Sequence, residues 1–170
     1  MKKSIGILLF CLILAASMVG CSHQEPAPTQ SSSQTTYIGN PWSTWESIQE
    51  AETAAGMSFG LPEVIADSYT AAAFRTMNQE LIEVIYRDAD FEVRVRKQIG
   101  EGLDLSGDYN SYAGCTEEQI KGGTVLHYSN ADDAAVKILI SYEGFSWSLT
   151  ASEGFRGDAG SAFLDLIFSE

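Results

Sequence analysis

Basic residues are scarce in this sequence. Ten lysines and arginines stand against 23 aspartates and glutamates, so the formal net charge at pH 7 is −13. Lys2 and Lys3 precede an apolar stretch that we expect to be removed, which would leave eight basic residues and a net charge of −15. A surface of that charge is repelled by nucleic acid and by anionic lipid head groups. Nucleic acid is therefore excluded as a partner.

A long hydrophobic run is also absent. The apolar stretch from Ile5 to Ile13 is too short for a transmembrane helix, which needs about 20 residues. Two lysines before this stretch and the small residues Ala15, Ala16 and Ser17 after it are typical of a secretory signal peptide. We predict a signal peptide over residues 1–20.

The stretch Met18-Val19-Gly20-Cys21 resembles a lipobox, the signal read by bacterial prolipoprotein processing enzymes, with Met18 where leucine is usual. The resemblance implies cleavage between Gly20 and Cys21 and lipid on the Cys21 thiol. Two or three acyl chains on one residue would anchor the chain stably. The predicted location is extracytoplasmic, on the outer face of the bacterial cell membrane. The alternative is an ordinary secretory signal cut near Ala16.

Large apolar residues are nearly absent from the next segment, residues 21–39, which is rich in proline, serine, threonine and glutamine. Such a composition predicts a disordered tether. His23 lies in this tether, so a catalytic role for it is disfavoured. Residues 40–170 are predicted to form one domain.

Cysteine is scarce as well, with three in the whole chain. Cys11 would leave with the signal and Cys21 would carry lipid, so Cys115 alone remains. No intramolecular disulfide is then available, and the fold must depend on its hydrophobic core.

Hydrophobic periodicity predicts an α+β domain: a helix, a meander of six to seven antiparallel strands, and a second helix. The sheet is expected to be curved, with both helices packed on its apolar face. The first helix is predicted to start at a capping box, Ser43–Glu46, and to stop at Gly56. The last helix, Ala159–Ile167, has Asp158 as a candidate cap. The predicted strands are Tyr69–Met77, Leu81–Tyr86, Phe91–Arg96, Cys115–Lys121, Thr124–Tyr128, Val136–Tyr142 and Phe145–Thr150, with a hairpin turn at Gly122-Gly123 and with Met57–Phe59 as a further candidate for a short strand.

Three stretches carry a family resemblance. They are Asn40–Trp42, Arg94–Lys97 with Leu103–Tyr112, and Tyr142–Leu149. Together they resemble small secreted or lipid-anchored Firmicute proteins of unknown function that share a D-x-S-G-D-Y-N loop. That family is similar in turn to extracytoplasmic domains of some anti-sigma factors, with a distant likeness to the lipoprotein-carrier fold. The resemblance implies no established activity and no catalytic residue.

The loop Gly100–Ala113 contains the candidate binding residues, which are Asp104, Ser106, Asp108, Tyr109, Asn110 and Tyr112. Alternating oxygen side chains are found in calcium loops, but such a loop needs glycine in sixth place and glutamate in twelfth. Here Gly107 is fourth and Cys115 twelfth. We therefore predict Asx-turn hydrogen bonds, with Tyr109 or Tyr112 pinning the loop to the sheet, and no metal ion.

Cys115 and His127 are open to two interpretations, a thiol–imidazole dyad or a buried, inert thiol. A turn centred between Gly122 and Gly123 places Cys115 opposite about residue 130, which favours the inert thiol. Other nucleophile, metal and phosphate-binding motifs are missing from the sequence. We predict no catalytic residue and no cofactor. The tryptophans Trp42, Trp45 and Trp147 are interpreted mainly as packing residues.

The favoured hypothesis is a non-enzymatic, membrane-anchored binding or sensing module, with an envelope protein or a small ligand as partner. Its working surface would be the concave sheet or the Gly100–Ala113 loop. The alternative is a carrier or chaperone for an apolar envelope ligand or lipoprotein. An open cavity lined by Phe145, Trp147 and Leu149 would favour the carrier, and a filled core would favour the binding module.

Overall fold

A computed structural model of the chain describes residues 39–130 and 135–169. The predicted signal peptide, the lipidated Cys21 and the tether up to Ile38 lie outside the described residues. Within the part that is described, no helix has the length and apolar character needed to cross a membrane.

The described residues form nine strands and two helices, which confirms the α+β class but exceeds the predicted six to seven strands. The elements are β1 Trp42–Trp45, α1 Ile48–Ala55, β2 Val64–Ile65, β3 Tyr69–Met77, β4 Leu81–Asp88, β5 Phe91–Ile99, β6 Gly114–Ile120, β7 Gly123–Ser129, β8 Ala135–Tyr142, β9 Phe145–Ala151 and α2 Ala159–Ile167. The predicted strand Met57–Phe59 is wrong, since these residues form no strand.

The strands make one antiparallel sheet in the order β1-β3-β4-β5-β9-β8-β7-β6, with β2 also pairing with β3. The prediction of a single meander is wrong, because β5 lies beside β9 and not beside β6. Val93 of β5 is opposite Ala151, and Val95 is opposite Leu149. After β5 the chain must cross four strand spacings, about 19 Å, to reach the far edge of the sheet. The loop Gly100–Ala113 makes this crossing.

Both helices contribute to one hydrophobic core on one face of the sheet, here called the helix face. Trp147 is 2% exposed and Leu149 is fully buried within this core. Helix α1 adds Ile48 and Ala51 to it. Helix α2 adds Phe163, whose ring meets the rings of Tyr69 and Tyr86 edge-on. The opposite face, here called the loop face, is left for the crossing segment.

Helix α1 begins four residues later than predicted. The capping box Ser43–Glu46 is wrong, because residues 42–45 pair with β3 as strand β1. Ser47 is the N-cap instead, and its hydroxyl accepts a hydrogen bond from the Glu50 amide at 3.3 Å. The Glu50 carboxylate accepts from the Glu46 amide at 3.1 Å. The sequence holds two Ser-x-x-Glu patterns in succession, and strand pairing removes the first from the helix.

Replacing Ser47 with alanine is expected to lower the free energy of unfolding by about 1 kcal/mol, because an N-terminal amide of α1 loses its acceptor. Urea denaturation would measure the loss. Ser43→Ala is the matched control and should change stability by less than about 0.5 kcal/mol. A larger loss for Ser43→Ala than for Ser47→Ala would contradict this assignment of the cap.

The β6–β7 hairpin turns at Lys121-Gly122, where both residues have positive φ, and not at Gly122-Gly123 as predicted. Gly123 has a different reason to be glycine. A Cβ there would lie 2.8 Å from the Phe168 ring and 2.9 Å from the Ser141 carbonyl oxygen. Gly123 is therefore not needed for the turn; it lets the hairpin pack closely against Phe168 and Ser141.

The other two predicted helix caps, Gly56 and Asp158, agree with expectation in part. Gly56 ends α1 in the left-handed conformation, with φ of +69°, which confirms the predicted stop. Asp158 occupies the N-cap position of α2, but its side chain makes no capping hydrogen bond.

Candidate functional site

The segment Gly100–Ala113 crosses the loop face and is hydrogen-bonded to the strands below it. The Gly102 amide donates to the Ser141 hydroxyl at 2.8 Å, and the Leu103 amide donates to the Ser146 hydroxyl at 2.9 Å. The Ser146 hydroxyl in turn donates to the Gly100 carbonyl oxygen at 2.8 Å. Ser146 and Ser148 are consequently buried. The small hydroxyl side chains of β9 let the loop lie close to the sheet.

The loop has its own internal scaffold, and the predicted Asx turns are confirmed. Asp104 Oδ1 accepts from the Ser106 amide at 2.9 Å and from the Ser106 hydroxyl at 2.5 Å. Asp108 Oδ1 accepts from the Asn110 amide at 2.9 Å, and Asp108 Oδ2 accepts from the Tyr112 hydroxyl. The polar side chains of the loop thus mainly stabilise its own conformation.

Tyr112 attaches the end of the loop to the sheet, as one of the two predicted tyrosines. Its ring lies 5.8 Å from the ring of Tyr128 on β7. The buried Lys137 ammonium lies over both rings and donates to Asp104 Oδ2 at 3.3 Å. Tyr109 is 97% exposed, so a pinning role for it is wrong.

A buried ionic cluster holds the middle of the loop. Glu83 on β4 is fully buried and accepts from Arg75 on one side and from Arg96 Nε at 2.7 Å on the other. Arg96 Nη1 also donates to the Leu105 carbonyl oxygen at 2.6 Å. The Trp42 ring lies 4.9 Å from the Arg75 guanidinium and 5.2 Å from that of Arg96. The loop is therefore fixed to a rigid part of the sheet.

A cleft of about 640 Å³ opens between this loop and the sheet. Four predicted binding residues line it, namely Ser106, Asp108, Asn110 and Tyr112. Asp104 and Tyr109 are not among the lining residues. The strands contribute six lining residues that were not predicted as site residues: Glu92, Arg94, Arg96, Val136, Thr150 and Ala151. Arg94 and Thr150 are directly opposite each other on β5 and β9.

Cys115 and His127 do not form a dyad. Cys115 is opposite Tyr128, while His127 is opposite Thr116, so their side chains point to opposite faces of the sheet. The expected register, with Cys115 opposite about residue 130, is off by two residues because the turn lies one residue earlier. The expectation of a buried thiol is also wrong, since Cys115 is exposed.

The loop carboxylates are held in their charged form. Partial burial acts to raise the pKa of Asp104, but hydrogen bonds from Ser106 and Lys137 outweigh burial and lower this pKa below its ordinary value of 3.8. For Asp108, too, burial opposes the shift, and hydrogen bonds from Tyr112 and Asn110 lower the pKa. In residues 39–130 and 135–169, no three His, Cys, Asp or Glu side chains converge as metal ligands.

Acidification is expected to destabilise this loop. A carboxyl whose pKa is lower in the folded chain contributes stability above its unfolded pKa and loses it as the pH falls through the folded value. The free energy of unfolding should therefore decrease as the pH falls below about 4. Asp104→Asn should make this dependence shallower, whereas Asp165→Asn, on the exposed side of α2, should leave it unchanged. Urea denaturation at several acidic pH values would measure this dependence. If the free energy of unfolding falls equally steeply with pH in the unchanged chain and in Asp104→Asn, the loop carboxylates do not cause the destabilisation.

Comparison with protein-family models, curated proteins and solved structures gives no match. The resemblance to lipid-anchored Firmicute proteins stays a prediction. The chemistry of the cleft is consequently inferred from its own residues. Hydroxyls, amides, two guanidinium groups and two carboxylates line it, and these can hold a polar ligand by hydrogen bonds.

Proposed function

We propose that the protein is a non-enzymatic, membrane-anchored binding or sensing module whose ligand occupies the cleft beside the Asp104–Tyr112 loop. The observation that carries the proposal is the cleft itself, about 640 Å³ in volume and lined mainly by polar side chains. This volume is in the range of about 300–1,000 Å³ that is usual for small-molecule sites. Lipid on Cys21 would keep the cleft outside the cytoplasm, close to the membrane.

The rigidity of the loop supports a binding role. Its Asx turns, the hydroxyls of Ser141 and Ser146, and the Glu83–Arg96 pair fix the loop from below and from within. A site that is already ordered loses less conformational entropy when a ligand binds, and so binds it more tightly. The extensive anchoring of a 14-residue crossing segment agrees with this.

A carrier of apolar ligands is less well supported. Such a carrier needs an apolar cavity that is open to solvent. Trp147 and Leu149, which would line it, are instead buried in the core against residues such as Phe59, and the half-buried Phe145 packs against the same core. The cleft on the loop face is mainly polar.

The binding role can be tested by closing the cleft. Ser111 lines it, is exposed and makes no side-chain hydrogen bond with the described residues, so Ser111→Trp should fill space without removing a contact. Ser161→Trp, on the exposed side of α2, is the matched control. Each full chain would be dialysed to equilibrium against the small-molecule fraction of the culture medium, and retained compounds identified by mass spectrometry. We expect a compound that the unchanged chain and Ser161→Trp retain and Ser111→Trp does not; its absence would refute the binding role.

Membrane attachment needs a separate test. Replacing Cys21 with serine removes the thiol that would carry lipid, so the protein should appear in the medium. Fractionation followed by immunoblotting would measure the distribution. Continued tight retention of Cys21→Ser by the membrane would contradict lipid anchoring.

A further inference from the structure

The hydrogen-bonding groups of the cleft are unbalanced in favour of donors. Arg94 carries five N–H groups, of which only Nε–H has an acceptor among the described residues, Glu92 Oε1 at 2.7 Å. Its two terminal nitrogens have no acceptor within that described part of the chain, and the side chain is about half exposed beside the cleft. Thr150, directly opposite Arg94, likewise has a hydroxyl without a partner in the described part of the chain. Together they present a guanidinium fork and a hydroxyl on adjacent strands.

The carboxylates of the cleft are already engaged. Glu92 accepts from Arg94 through Oε1 and from Arg87 through Oε2. Asp108 accepts from Asn110 and Tyr112. Their pKa values are lowered, for Glu92 by its two arginines against the opposing effect of burial, so both stay charged. A cationic ligand would thus have to compete with existing partners, whereas an acceptor would find open donors.

Basic residues are concentrated on this face of an acidic protein. Eight lysines and arginines follow residue 20 in the sequence. Five of them are on the loop face by their strand register: Arg75, Arg87, Arg94, Arg96 and Lys137. Four carboxylates lie beside them: Glu83, Glu92, Asp104 and Asp108. Among the residues that line the cleft, Arg94 and Arg96 balance Glu92 and Asp108, so the cleft is locally close to neutral although the chain as a whole is strongly anionic.

We propose that the ligand of the cleft carries a carboxylate or a phosphate group, which pairs with the terminal nitrogens of Arg94 and accepts from Thr150. A guanidinium with both terminal nitrogens available binds either group through two parallel hydrogen bonds, and such charge-assisted bonds are among the strongest in proteins. This inference rests on the proposed binding function and adds the chemical class of the ligand.

The test uses the full chain in detergent micelles with three probes at constant ionic strength: inorganic phosphate, succinate and neutral sucrose. The Arg94 Nε–Hε signal in a nitrogen-15 NMR spectrum, assigned by its loss in Arg94→Gln, reports on the site. We expect a saturable shift with phosphate or with succinate and none with sucrose. The anion that acts distinguishes the phosphate from the carboxylate class. By calorimetry, Arg94→Gln should weaken binding by about 10- to 100-fold.

Lys121→Gln is the charge-matched control, because Lys121 lies in the β6–β7 turn at the far end of that hairpin from the cleft. It should leave anion binding unchanged. If neither anion shifts the Arg94 signal saturably, or if both variants weaken binding equally, the inference is overturned. The dialysis experiment then separates the two proposals. A retained compound without an acidic group preserves the binding function and refutes the anionic ligand, and no retained compound refutes the binding function itself.

Discussion

Glu83→Gln is expected to lower the free energy of unfolding by roughly 3–5 kcal/mol, since it leaves two arginines without their shared buried counter-charge. Glu83 is fully buried, and the side chains of Arg75 and Arg96 are only 25% and 13% exposed. Neither guanidinium can turn to water without leaving the Trp42 ring and, for Arg96, the Leu105 carbonyl oxygen. Urea denaturation followed by tryptophan fluorescence would measure the loss.

Glu92→Gln provides a closely matched control. Glu92 is also a glutamate on the loop face between two arginines, Arg87 and Arg94, but its side chain is 26% exposed. Ion pairs near the surface contribute about 0–1 kcal/mol, so the loss should be correspondingly small. Equal losses in the two variants would show that burial of the Glu83 cluster does not determine its contribution.

Local sequence patterns predict a strand well where apolar and polar residues alternate and turn-forming residues follow. Strand β3 has the predicted bounds, Tyr69–Met77, and the following turn residues Asn78 and Gln79 have positive φ. Strand β9 alternates as expected, but its hydroxyl face is covered by the loop and not by water. The pattern identifies which side chains share a face, and cannot tell water from a polar loop that covers it.

The predictions that are wrong concern features that depend on contacts between residues far apart in the sequence. Strand order depends on which apolar rows meet, and nothing near β5 in the sequence specifies β9 as its neighbour. The first Ser-x-x-Glu pattern is typical of a helix start, but its residues pair with β3 and form strand β1 instead. Gly123 is a glycine because of the Ser141 carbonyl oxygen and the Phe168 ring, which lie 18 and 45 residues away in the sequence. Each case is a tertiary constraint that no local window contains.

The candidate site was predicted only for its loop half. The loop residues carry a local signal, since Asx turns involve side chains two residues apart. Arg94 and Arg96 come from a different element, strand β5, and the pattern that predicts a strand over Phe91–Arg96 does not mark them as site residues. An acidic sequence that places two arginines and a glutamate on one side of a single strand is a signal that could have identified them.

Phe163→Ala is expected to lower the free energy of unfolding by about 3–5 kcal/mol, the cost of removing a fully buried phenylalanine ring from a packed core. Phe163 is 0% exposed, and its ring centroid lies 5.3 Å from that of Tyr86 and 6.0 Å from that of Tyr69. It is a central contact between α2 and the helix face. Chemical denaturation would give the stability, and amide exchange in α2 should speed up in parallel.

Phe163→Leu keeps most of the buried volume and a comparable helix propensity, and so separates cavity formation from loss of the aromatic ring. We expect it to cost roughly 1–2 kcal/mol, less than half of the alanine value. If the alanine variant unfolds too far for a reliable measurement, the leucine variant still tests the contact. Losses of equal size would mean that the volume kept by leucine contributes nothing, and that loss of the ring contacts with Tyr69 and Tyr86, not cavity formation, accounts for the alanine value.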